Sequence, residues 1–319
     1  MIIINLLPFL LAARLESAQD PTIWKRGAEV TYLVQSHALK TYPMGQSESK
    51  NSDMIFDLKT MLTCQSLETN AHCFFHDTES KSAVAGENKH ARPDAQYIER
   101  DIWTKKVLQQ DTMTIDFTKN GITTVWVPKD VDPIGRNMMA ALAMPLNIGL
   151  DFPPKITGNY ETKANSSKGN CLTKFLVTRS PAASHQKKLP MDLFLVAQAD
   201  ESINRPIEIT RMMEVGDKCH EKFFVYSFYA NRELRDATKT DVEYQLNSFE
   251  NFMTISNANF TSFSKVKVSI TDHRYKSKYT LEESISLTLQ KIDPTLCEQH
   301  KYDEFNKDCS SEEITNHAG

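Results

Sequence analysis

"TMTIDFTKNGITTVWVPKDVDPIGRNMMAALAMP", residues 112–145, sets two short β-rich runs either side of Asn120-Gly121 and follows them with a periodic apolar segment. Asn and Gly both tolerate positive φ, so this pair between two β-rich runs predicts a tight hairpin. In the segment behind it Asp132 can cap a helix, Pro133 suits the first helical position, and Ile134, Met138 and Leu142 fall four apart on one face. Pro145 limits that helix to about three turns. Met138, Met139 and Met144 form a stripe that at helical spacing reads as core, with a ligand-lining role as the alternative. A helix plugged into a β-structure is the expectation.

Outward from this stretch the pattern is strand-like on both sides. "AEVTYLVQSHAL" alternates Val30, Tyr32 and Val34 against Thr31, Leu33 and Gln35, and "SDMIFDLKTMLTCQSL" repeats the habit. Downstream, "CLTKFLVTR", "MDLFLVAQ", "IEITRMM", "CHEKFFVYSFY", "VEYQLNSF", "FMTISNAN", "FSKVKVSITD" and "SISLTLQKI" are apolar, strand-length runs broken by Pro, Ser and Gly. Many strands with one confident helix predict a mainly β protein, a large antiparallel β-barrel-like sheet with a short central helix. The polar connections at 78–96 and 180–190 are expected to be mobile. The expected organisation is a signal peptide over 1–18, one β domain over 22–292 and an acidic tail over 293–319.

The compartment follows from the ends and the cysteines. The apolar run Ile2–Ala13 is too short to cross a bilayer as a helix and is followed by small residues at Ser17 and Ala18, the pattern of a secretion signal. No later stretch is long and apolar enough to span a membrane, so the mature chain is expected to be secreted and not membrane-spanning. Six cysteines (Cys64, Cys73, Cys171, Cys219, Cys297, Cys309) in an oxidising compartment allow up to three bridges. Proximity pairs Cys64 with Cys73 and Cys297 with Cys309. Asn165 and Asn259 each open an N-x-S/T sequon accessible to glycosylation there. In "KANSSKGNCLTKFLVTR", residues 163–179, Gly169-Asn170 reads as a tight turn ahead of Cys171 and its strand. With 37 basic against 41 acidic residues the chain has no basic field to gather phosphates, and nucleic acid is excluded as a first partner.

In order along the chain, "IWKRGAEVTYLV", "IDFTKNGITTVWVPKDV" with Asn137 in the helix behind it, "GNCLTKFLV", "ITRMMEVGDKC" and "SLTLQKI" resemble the N-terminal module of vitellogenins and related large lipid transfer proteins. The resemblance covers about residues 22–292. It implies a β-barrel fold, lipid transport as the ancestral class, and receptor binding as the activity of this part. It also implies that Cys171 is oxidised against Cys219, closing a loop worth about 3–4 kcal/mol in the chain-entropy picture. In that family, helical and lipid-binding sheet regions follow the module, and this sequence runs 27 residues past Ile292. A chain without those sheets is expected to carry no lipoprotein-scale load. Its partners are then a vitellogenin-type receptor or a polyanionic surface, with lipid as a further candidate.

Signals of catalysis are absent from the pattern: no nucleophile elbow, zincin helix, phosphate loop or Gly-rich dinucleotide turn. No enzyme activity and no cofactor are expected. "HCFFHD", residues 72–77, offers His72, Cys73, His76 and Asp77 as zinc ligands if helical, but the β pattern upstream favours a turn, and a disulfide with Cys64 would consume the thiol. Two basic stretches remain as binding candidates. "SHQKKLP" brings Lys187 and Lys188 into a polar connection, and "DHRYKSKYT" alternates Arg274, Lys276 and Lys278 on what reads as an edge strand, where such charge also guards against edge pairing. The rival function is a carrier holding a small apolar ligand around the 133–144 helix.

Overall fold

Alternating side chains become long strands. From Glu29 to Thr41 every second residue is buried, from Val30 through Tyr32 and Val34 to Lys40. The computed structural model describes residues 11–15, 24–25, 29–43, 53–66, 70–85, 108, 112–118, 121–131, 133–147, 157–166, 169–179, 191–195, 207–213, 219–221, 242–255, 259–273 and 276–293.

The elements in chain order are β1 (Leu11–Leu15), β2 (Trp24–Lys25), β3 (Glu29–Thr41), β4 (Asp53–Ser66), β5 (Asn70–Ala85), β6 (Thr112–Thr118) and β7 (Gly121–Trp126). Then come α1 (Pro133–Ala143), a single 3-10 turn (Met144–Leu146), β8 (Gly158–Ser166), β9 (Gly169–Arg179), β10 (Met191–Leu195), β11 (Ile207–Met213) and β12 (Cys219–Glu221). The series ends with β13 (Val242–Ile255), β14 (Phe260–Asp272) and β15 (Ser277–Asp293). Twelve strands form one antiparallel sheet in the order β12-β9-β11-β13-β14-β15-β3-β4-β5-β6-β7, with β8 on the far side of β9. β10, β1 and β2 form a separate three-stranded sheet, so Leu11–Leu15, within the predicted leader, is a strand.

The sheet rolls without closing. β7 and β8, its two ends, carry Cα atoms within 8 Å of each other but share no ladder among the described residues. The expected barrel is therefore an open roll. Bulges supply the bend, because an extra residue on one strand increases local twist. Asn247 is extra opposite β14 and Gln290 opposite β3, while Thr123 is extra opposite β6. On β5, Asp77 and Thr78 together face Thr60, with Asp77 at φ 50°, a left-handed conformation that Asp tolerates better than most residues. Thr60 stabilises this bulge: its hydroxyl lies 2.9 Å from the His76 carbonyl and 2.8 Å from the Thr78 hydroxyl.

The predicted hairpin is present, with Thr118 opposite Gly121, and so is the helix from Pro133. Other expectations shift. "HCFFHD" and residues 78–85 are continuous β5, not a turn and a mobile connection. Gly169 and Asn170 belong to β9, paired with Ser166 and Asn165, so the turn falls earlier, at 167–168, outside the described residues. "DHRYKSKYT" is the end of β14, a connection and the start of β15, in the middle of the sheet and not at an edge. Local alternation cannot say which strands will be neighbours.

Candidate functional site

The concave side of the roll is filled by the chain itself. Met138, Met139, Leu142, Ala143 and Leu146 are buried in one cluster with Tyr32, Val34, Leu62, Phe175 and Ile209. Each such large side chain stabilises the fold by about 1.5–3 kcal/mol. Tyr32 packs edge-on to Phe260 at 5.7 Å, and burial pushes its hydroxyl pKa well above the ordinary tyrosine value. Asn147, directly after the 3-10 turn, ties the helix to both arms of the roll. Its Oδ1 accepts from the Ile122 amide of β7 at 3.1 Å, and its carbonyl accepts from Arg211 Nη1 of β11 at 2.8 Å. Arg211 is itself buried, lies 5.4 Å from the Phe249 ring centre, and has its pKa lowered to about 10 by loss of water, still charged at neutral pH.

A second apolar cluster, with Leu246, Phe249, Val268, Ile270, Tyr279 and Leu281, fills the other end of the concave side. There Lys40 is buried with its Nζ 3.9 Å from the Tyr279 ring centre and 5.2 Å from that of Tyr42. The two faces of two aromatic rings offset the loss of water around this ammonium.

Between the clusters the in-and-out pattern inverts on three adjacent strands. Arg211, Asn251 and Ser262 point inward and are buried, while their neighbours Met212, Phe252 and Phe263 point outward at 47%, 44% and 39% exposure. Leu176 on β9 joins them at 41%. The ladders put Leu176, Thr210, Phe252 and Phe263 in one cross-strand row on the outer face. The same row runs on through Ser286, Gln35, Lys59 and Glu79. Here the outer face sinks into a concavity of about 460 Å³, with Phe263 as one wall and His37, Asp57, Lys59, Glu79 and Lys81 along the others. His37 Nδ1 lies 2.7 Å from Asp57 Oδ1. One row below, Lys265 pairs with Glu282 at 2.5 Å, and that contact holds the Glu282 carboxyl below its usual range.

The residues singled out by sequence are scattered. Cys64 and Cys73 face each other across β4 and β5 and are bonded, with S–S 2.08 Å and Cα atoms 4.1 Å apart. That bond removes the thiol from any metal set. His72 Nδ1 contacts the Thr114 hydroxyl at 2.9 Å, and His76 is engaged by Thr63 and Asp77, each at 2.9 Å. No cluster able to hold a metal occurs among the described residues. Cys171 is buried and disulfide-bonded, and its register partner is Cys219. Asn165 lies near the end of β8, and Asn259 is exposed at the entry to β14. Lys276 and Lys278 are exposed, Lys276 in the connection at φ 48°. Cys297, Cys309, Lys187, Lys188 and Arg274 lie outside the described residues.

The outer row was missed in the sequence, although the signal is there. Met212-Met213, Phe252-Met253 and Phe175-Leu176-Val177 are consecutive apolar residues that a one-sided strand does not need, and Ser262-Phe263 reverses the phase of β14.

No family model and no curated protein sequence matches the chain. Among solved structures the fold is similar to that of lipovitellin, in a study of lipid–protein interactions in that protein, with a TM-score of 0.53 and 11% identity. The match covers 86% of this chain and 26% of the lipovitellin chain. At that identity the likeness is one of fold: an antiparallel, lipovitellin-like roll.

Proposed function

We propose that this is a secreted, non-enzymatic protein of the vitellogenin-like lipid transport class, built on the N-terminal module of that family, and that it acts by binding through its outer surface. The fold likeness to lipovitellin supports the class. One observation carries the mode of action: Lys276 and Lys278 are exposed where β14 passes into β15, positive charge at the surface of a chain that is negative overall. The concave side, where a small apolar ligand would sit, is occupied by Met138, Met139 and Leu142.

The partner is a receptor with acidic repeats or another polyanionic surface, met by the lysines of the β14–β15 connection together with those of the 184–190 segment. The test uses the full chain purified from culture medium without detergent. Retention on immobilised sulfated polysaccharide should fall steeply with salt, and fall again when Lys187, Lys188, Arg274, Lys276 and Lys278 are changed to Ser. Native mass spectrometry should return the mass of the protein without an enclosed ligand. Retention indifferent to salt and to all five substitutions, or a stoichiometric apolar ligand, would refute the proposal.

A further inference from the structure

The outer row changes character along its length. From β9 to β14 it is Leu176, Thr210, Phe252 and Phe263, apolar but for the threonine, and from β15 to β5 it is polar and then charged, with Phe263 belonging to both halves. Strands lie about 4.8 Å apart, so the apolar half spans about 14 Å, the reach of a medium-length aliphatic chain. The concavity at its end presents two ammonium groups, Lys59 and Lys81, beside two carboxylates, Glu79 and the Asp57 that contacts His37. A purely anionic head would meet the carboxylates, and a purely cationic one the lysines. A head carrying both signs finds a partner for each.

We propose that the outer face binds a single-chain zwitterionic amphiphile, with its charged head in the concavity at Lys59, Lys81, Asp57 and Glu79 and its chain laid over Phe263, Phe252 and Leu176. Two other occupants fit less well. Four side chains at 39% to 47% exposure leave roughly 300 Å² of apolar surface, well short of the roughly 800 Å² per partner that a stable dimer needs. A flat bilayer would also press on the adjoining row, where Lys174, Glu250 and Lys265 stand beside Met212 and Phe263 and would lose their water.

The inference shares with the proposed function only the use of the outer face. Polyanion binding by the lysines can fail while this binding stands, and the reverse. The test titrates the full chain with dodecylphosphocholine below micelle formation, following heat and, by native mass spectrometry, stoichiometry. One-to-one binding is expected. Phe252→Ser and Phe263→Ser should each weaken it by about tenfold, because each removes apolar area from the chain's bed. Lys59→Ser with Lys81→Ser should remove the preference for dodecylphosphocholine over dodecyltrimethylammonium. All four side chains lie on the outer face and outside both core clusters, so each variant should still fold, the two Phe variants with a lower melting temperature from the loss of their cross-strand pair. The proposal is overturned if dodecylphosphocholine does not bind, if dodecanoate binds as well, if phosphocholine without a chain binds as well, or if the two Phe variants bind like the parent. A dimer in sedimentation that Phe252→Ser dissolves would give the face to a second copy instead.

Discussion

Asn147 joins the end of the helical segment to both β7 and β11, and replacing it with Ala gives a quantitative test. The side chain is 1% exposed and its Oδ1 accepts the Ile122 amide at 3.1 Å, so truncation leaves a buried N–H on β7 without that acceptor. A buried donor left unsatisfied costs about 1–3 kcal/mol, and the small cavity adds to it, so the expected loss is roughly 2 kcal/mol. For a chain of this size that lowers Tm by roughly 3 °C. The Arg211 contact is made to the backbone carbonyl of residue 147 and survives the substitution, so the damage should be local to β7. Hydrogen exchange followed by mass spectrometry reads this directly: a peptide spanning Gly121–Trp126 should lose protection, while one from β4 or β15 should keep it. Unchanged protection at Ile122 with a Tm within about 1 °C of the parent would mean that Asn147 does not hold the end of the sheet, and that the approach of β7 to β8 has another cause.

Two further outcomes test the filled interior and the β14–β15 connection. Met138 is 2% exposed in the main core, so Met138→Ala should cost about 2–5 kcal/mol in urea unfolding and Met138→Asp should prevent folding; an aspartate variant that folds and melts like the parent would place α1 on the surface. Lys276 holds a left-handed conformation at φ 48° with an exposed side chain, so Lys276→Gly should raise stability by roughly 0.5 kcal/mol, and a loss of 1 kcal/mol or more would contradict that geometry.

What the sequence disclosed was chemistry that acts over a few residues. Asn120-Gly121 announces the β6–β7 hairpin, in which Gly121 already opens β7 opposite Thr118, and Pro133 with the spacing of Met138 and Leu142 specifies a helix and its buried side. What it withheld depends on neighbours distant in the chain. Bulges at Asp77, Asn247 and Gln290 exist only relative to a partner strand, so neither the continuous β5 nor the unclosed ends could be read from alternation. The buried charges were illegible for a different reason. Lys40 is hidden because Tyr279 and Tyr42 arrive from 239 and 2 positions away to cover it, and an alternating "ALKT" carries no sign of that.

The inverted row ties fold to function through its cost. An outward Phe forfeits part of the stabilisation it would gain inside, about 25 cal/mol for each Å² left in water, and an inward Asn or Arg needs hydrogen bonds that a Leu would not. Asn251 finds such bonds at Ser262 Oγ (3.3 Å) and the Phe263 carbonyl (3.1 Å), and Arg211 finds one at Asn147. The polar residues inside are thus partly used to fix the helix and to join β13 to β14. The aromatic residues outside, Phe252 and Phe263, pair with each other across β13 and β14 but belong to neither core cluster. A sequence under pressure for stability alone would place apolar residues inward and polar ones outward at these positions, as it does elsewhere along the same strands. Paired strands that depart from that rule side by side, next to a concavity with charges of both signs, are why the proposed binding is placed on the outer face and not in the filled interior.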